Sequence, residues 1–97
     1  MALTVLQSTI KHTAEGYILK GIAAFTTTSI TGEIPTLGMK KIKSVKWGAI
    51  GGDEGLFLDE VADAYGIVTP VSGQVTVGRS DINPTSALQF SFEFSGY

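Results

Sequence analysis

A chain of 97 residues can bury one hydrophobic core and not two, so residues 1–97 are expected to form a single domain. Hydrophobic residues make up 43% of the chain, charged residues only 16%, and there are 12 glycines; this composition excludes a disordered tail and suits short strands joined by turns. The net charge of −2 gives no field to hold phosphates, so no nucleic-acid partner is expected. Without cysteine there is neither a disulfide framework nor a thiolate site.

The apolar pattern predicts neither membrane insertion nor export. The longest purely apolar run, around Ile22 to Phe25, is far shorter than the roughly 20 residues of a membrane helix. Met1 to Gln7 lacks the basic region and long apolar core of a signal peptide. We therefore expect no membrane partner, and stability that comes from core packing or from association with other subunits.

The first third of the chain predicts two strands and a loop. Residues 1–10 alternate imperfectly, which indicates an edge strand or a strand exchanged with another subunit. Residues 17–25 are apolar on both faces except at Lys20, so this strand is expected to be buried on both sides. Residues 26–38 are rich in Thr, Ser and Gly without a period of their own, and they predict a long loop whose isolated apolar residues favour docking.

The middle of the chain predicts a hairpin. The dipeptide Gly51-Gly52 tolerates the positive φ of a tight turn and separates residues 40–50 from residues 54–61. This hairpin would place Trp47 opposite Leu56, so that apolar side chains meet across the strands. An alternative remains for residues 58–65, whose apolar spacing before a glycine also fits a short helix.

The strongest signal lies near the end of the chain. Large apolar side chains occupy every second position from Leu88 to Phe94, with polar residues between them, and this predicts a strand with one buried face. A further strand carries Val75 and Val77, and residues 80–86 predict a turn before the last strand. Together these elements predict an all-β fold, a small antiparallel β-sandwich or partly open barrel of about six strands.

The residues that catalysis needs are scarce. His12 is the only imidazole and there is no thiol, so neither a Ser-His-Asp nor a Cys-His arrangement is predicted, and we expect no enzyme and no cofactor. Five carboxylates lack the regular spacing of a calcium loop, so no metal site is expected; they are Asp53, Glu54, Asp59, Glu60 and Asp63.

Four lysines precede the only tryptophan, and they are interpreted as the solvated face of a strand. They are Lys40, Lys41, Lys43 and Lys46. Whether Trp47 belongs to the core or to a contact surface stays open, and with Tyr17, Tyr65 and Tyr97 it forms the pool of possible interface anchors.

Several segments together resemble the small β proteins of tailed bacteriophages that accompany the major capsid protein and decorate or cement the head. The segments are Gly21-Ile22-Ala23-Ala24-Phe25, Thr31-Gly32-Glu33-Ile34-Pro35-Thr36-Leu37-Gly38, Lys41-Ile42-Lys43-Ser44-Val45, Gly73-Gln74-Val75-Thr76-Val77 and Ser86-Ala87-Leu88-Gln89-Phe90-Ser91-Phe92 with the final Gly96-Tyr97. The resemblance covers most of the chain from Gly16 onward.

The resemblance implies a non-enzymatic viral structural protein that binds across major capsid protein subunits and stabilises the head. Such a protein would assemble in the host bacterial cytoplasm, reside on the capsid surface of the virion, and act as a homo-oligomer, either a dimer or a trimer. The expected contact residues are apolar and lie on segments without a clear core face. They are Leu3, Val5, Ile30, Ile34, Pro35 and Leu37.

Two alternatives belong to other classes. The chain could be a free-standing carbohydrate- or protein-binding β module, with Trp47 or a tyrosine stacked on a sugar ring. It could also be a tail-tube or connector subunit, which predicts rings or tubes at high concentration.

Overall fold

The computed structural model describes residues 3–14, 16–50, 55–60, 62–80, 84 and 86–97, with the backbone alone at residues 49 and 50. Within these ranges the chain forms seven strands and no helix. The strands are β1 (Leu3–Thr13), β2 (Gly16–Phe25), β3 (Thr31–Pro35), β4 (Ile42–Ile50), β5 (Leu56–Leu58), β6 (Gln74–Arg79) and β7 (Leu88–Gly96).

The strands form two antiparallel sheets in a β-sandwich-like arrangement that does not close into a barrel. The four-stranded sheet has the order β1-β2-β7-β4, and the three-stranded sheet has the order β3-β6-β5. The all-β prediction is confirmed.

The core forms around β7, which pairs with β2 on one side and with β4 on the other. Its buried positions alternate along the strand, and Phe90 and Phe94 are fully buried there. Each such phenylalanine contributes roughly 1.5 to 3 kcal/mol by leaving water. Trp47 of β4 packs edge-on against both rings, with centroid separations of 5.8 and 5.6 Å. Trp47 is therefore a half-buried part of the core wall.

The predicted loop at residues 26–38 is partly wrong, because it contains β3. Gly32, Ile34 and Thr36 are buried while the residues between them are exposed, which is the alternation of a strand. Of these three buried residues, Ile34 alone has a large apolar side chain. Sequence periodicity missed the strand because a glycine occupies its other buried position and the buried residue that follows the strand is a threonine.

The predicted hairpin is wrong, because its two strands lie in different sheets. β4 pairs with β7, whereas β5 pairs with β6. Trp47 lies opposite Phe92 instead of Leu56. The dipeptide Gly51-Gly52 lies outside the described residues. Pairing with β7 buries the apolar face of β4 more completely than pairing with the three-residue β5 would.

The alternative of a short helix at residues 58–65 is not observed in the described part of that segment, where β5 ends at Leu58. His12 belongs to β1 and stacks on the ring of Tyr17 with a centroid separation of 4.2 Å. Of the predicted turn at residues 80–86, positions 81–83 and 85 lie outside the described residues.

Arg79, the only arginine of the chain, is buried at the end of β6. Its guanidinium donates a hydrogen bond to the carbonyl of Ser86 at 2.8 Å and lies 5.5 Å from the centre of the Phe25 ring. Its backbone N–H donates to the carbonyl of Ile30 at 3.0 Å. This residue joins the segments that lead into β3 and β7, a role that sequence analysis did not find.

Candidate protein-docking surface

Two reverse turns lie side by side at one end of the three-stranded sheet. Because β3 and β6 are antiparallel and Pro35 lies opposite Gln74, the turn after β3 meets the turn before β6. Thr36 joins them, since its backbone N–H and its hydroxyl both donate to the carbonyl of Gly73, at 2.9 and 3.1 Å. The hydroxyl at position 36 thus fixes the relative position of the turns.

Three apolar side chains are exposed here and Pro70 is half-buried beside them. We name Pro35, Leu37, Pro70 and Val71 the apolar tip. Leu37 is 49% exposed and Val71 is 63% exposed. Leu37 also has a φ of 52°, which places a bulky residue in the left-handed region that glycine prefers. A leucine at this position is unfavourable for both solvation and backbone conformation, and such outliers concentrate at functional sites.

A depression of about 340 Å³ lies beside the apolar tip. Its lining includes Met39 and Pro70 as apolar components and Lys40 and Thr69 as polar ones. Lys41 donates from Nζ to the hydroxyl of Thr69 at 2.8 Å. The surface therefore combines apolar groups with positive charge, a combination suited to a protein surface that carries carboxylates.

A hydrogen-bonded loop near Lys41 presents Tyr65, which is 89% exposed. The Asp63 carboxylate accepts hydrogen bonds from the backbone N–H groups of Tyr65, at 2.8 Å, and Ile67, at 3.0 Å. The pKa of Asp63 is lowered, first by the hydrogen bond from the Ile67 N–H and next by the one from the Tyr65 N–H. Desolvation opposes this shift, and the positive charge of Lys41 adds to it. A lowered pKa means that this carboxylate stabilises the loop above its unfolded pKa, and that the contribution is lost as pH falls through the folded pKa.

The structure divides the six expected contact residues. Leu3 and Ile34 are buried in the core, so a partner that binds at the surface does not reach them. Val5 is half-buried and packs against the core. Ile30, Pro35 and Leu37 are exposed. Of the six expected contact residues, Ile30, Pro35 and Leu37 are therefore the ones that a partner can reach.

Sequence analysis missed Leu3 and Ile34 as core residues because each has few apolar neighbours at even spacing. It also missed Val71, although Pro70, Ser72 and Gly73 around it form a turn signal that predicts exposure.

Two of the described acidic residues have structural roles. Glu60 accepts a hydrogen bond from the backbone N–H of Thr76 at 2.7 Å, and Asp63 organises its own loop. Across the described ranges no group of three or more metal-ligating side chains comes together.

The outer face of the four-stranded sheet carries a second depression, of about 480 Å³. Glu93 lies there between Lys20 and Lys46, with nitrogen-to-oxygen distances of 3.6 and 3.9 Å. Both lysines are well exposed, so Glu93 and its two lysine partners form a solvated ion-pair network.

Comparisons with protein families, with curated proteins and with solved structures find no match to this chain. The described residues contain no helix that could span a membrane.

Proposed function

We propose that this chain is a non-enzymatic decoration protein of a tailed-phage head, which resides on the virion surface and stabilises the head by binding across subunits of the major capsid protein. The observation that carries a protein-binding role is the apolar tip, above all the exposed Leu37 at positive φ. The phage assignment rests on the resemblance of the sequence to capsid accessory proteins.

The apolar tip has the properties of an interface anchor. Two exposed aliphatic side chains on hydrogen-bonded turns lose little conformational entropy on binding, because the turns are already fixed by Thr36. Lys40 and Lys41 next to the tip provide charge for orientation against an acidic surface. In this proposal the tip replaces Leu3 and Ile34 as the docking residues.

A carbohydrate-binding role has less support at Trp47, because its half-buried ring packs against Phe90 and Phe94. For that alternative the exposed Tyr65 is the better stacking candidate.

The test is co-sedimentation with empty heads assembled from the major capsid protein of the same virus. We expect saturable binding of the wild-type protein at a fixed ratio to the capsid subunit. Replacing Leu37 and Val71 of the tip, in L37S/V71S, should weaken binding at least tenfold, since each is an anchor candidate worth about 1.4 kcal/mol or more. L6S is the matched control, because Leu6 is 53% exposed and lies on β1.

The variant L37G separates binding from stability. Glycine relieves the positive φ, so this variant should unfold at higher denaturant concentration, with a gain of roughly 0.5 to 1 kcal/mol, and yet bind heads more weakly. If heads bind L37S/V71S as tightly as wild type, the tip is not the docking surface. If wild type ignores heads, the decoration proposal fails.

A further inference from the structure

The two sheets have four edge strands, and three of them are protected against pairing with another chain. β3 has five residues and ends in Pro35, and β5 has only three residues. β4 exchanges two hydrogen bonds with Val68 at its first residue, Ile42, and then carries exposed Lys43 and Lys46. Short length, proline and lysine are the usual protection of sheet edges.

β1 has the least of this protection, with one bulge near its start and Lys11 as its one lysine. It has 11 residues, it has no proline, and it has no charged residue from Leu3 to Ile10. Its only strand partner in the described part of the chain is β2. A bulge between Val5 and Gln7 interrupts the register, so the regular part of this edge runs from Gln7 to Thr13.

We propose that a second copy of this chain pairs with β1, so that two antiparallel β1 strands join the two four-stranded sheets across a twofold axis. The twofold axis passes through Thr9, which keeps Gln7 to Lys11 of each copy within the regular segment. Lys11 then lies opposite Gln7 of the second copy, and backbone hydrogen bonds continue the sheet.

Charge favours β1 over β4 for this pairing. In the Thr9 register the two Lys11 residues are four positions apart along the strands, which is about 13 Å and beyond the Debye length of about 8 Å at physiological ionic strength. In a comparable twofold through Val45 of β4, the two Lys46 residues are two positions apart, about 7 Å, and they repel. Like charges on paired strands are unfavourable.

The difference between the β1 edge and the three protected edges also limits the size of the assembly. Twofold pairing consumes the β1 edge of both copies, and the remaining edges are protected. Association therefore stops at the dimer and does not continue into a filament. This pairing needs no capsid, so it can fail while the decoration proposal stands, and the reverse is also true.

The test is sedimentation velocity of the purified protein from about 1 μM to about 1 mM, the range of weak complexes. We expect a reversible monomer–dimer equilibrium without larger species. The variant Q7K/T9K places lysines opposite each other and opposite Lys11, and it should raise the dimer dissociation constant at least tenfold. The control T27K/T28K adds the same charge to exposed loop positions and should dimerise like wild type.

Salt distinguishes repulsion from misfolding in Q7K/T9K. At about 1 M salt the Debye length falls to about 3 Å, so the dimer of a folded variant should return. Because the chain has no cysteine, T9C should form a disulfide dimer on oxidation and K46C should not. A wild-type protein that stays monomeric at all concentrations, open-ended aggregation, or a dimer unaffected by Q7K/T9K would overturn the proposal.

Discussion

β7 and β1 belong to the same sheet and have similar lengths, yet they differ in what they stabilise. β7 is hydrogen-bonded on both sides, and its apolar residues form the centre of the core. Among the residues that the structure describes, β1 is bonded to β2 alone, and past the bulge most of its side chains are exposed. A strand between two neighbours determines the fold, whereas a strand with one neighbour leaves a backbone edge available for association.

The largest effect should come from removing a phenylalanine of β7. F90A creates a cavity at a fully buried position of the core. It should lower the free energy of unfolding, measured by urea denaturation, by about 3 to 5 kcal/mol. The matched variant on β1 is I10A, because Ile10 is half-buried against the same core, and roughly 1 kcal/mol is expected. Equal losses would contradict the difference between the two strands.

A smaller effect is expected where β1 approaches the second sheet. Gly32 of β3 lies so close to Leu3 that an added Cβ would overlap the leucine side chain. G32A should therefore cost about 1 to 3 kcal/mol by overpacking. G55A is the control, since a Cβ there would meet Ser80 at ordinary contact distances.

The double variant L3A/G32A sharpens this test. Removing the leucine side chain makes space for the new methyl group, so the double variant should lose less stability than the sum of the single variants. Strict additivity would mean that the two residues do not limit each other.

The smallest effect is expected on the outer face of β7. Glu93 is paired with Lys20 and Lys46 in a solvated row, so E93Q should change the free energy of unfolding by at most about 0.5 kcal/mol. The difference from wild type should shrink further at 1 M salt, because salt screens exposed pairs. A loss above about 2 kcal/mol would show that the outer face contributes as much as the core face.

Sequence periodicity predicted the strands where one face is uniformly large and apolar. The alternation from Leu88 to Phe94 predicted β7 and its buried face correctly. It failed for β3, where Gly32 occupies a buried position, because a close approach between sheets favours small residues that carry no hydrophobic signal.

The candidate docking surface was only partly predictable. Leu37 was selected from sequence as an apolar residue without a core face, and it is exposed. Leu3 and Ile34 were selected by the same argument and are buried. The positive φ of Leu37, and the meeting of its turn with the turn before β6, depend on the pairing of β3 with β6, which no local pattern contains.

The sequence by itself determined the all-β class and the buried face of β7, because alternation assigns each side chain to a face of its own strand. Only the tertiary structure decided that β4 pairs with β7 and β5 with β6, that Leu3 covers Gly32, and that two turns meet at Thr36. The physical reason is that a period of two specifies faces and not neighbours. Neighbours are chosen by the burial of all strands at once, across separations in sequence that a local pattern does not record.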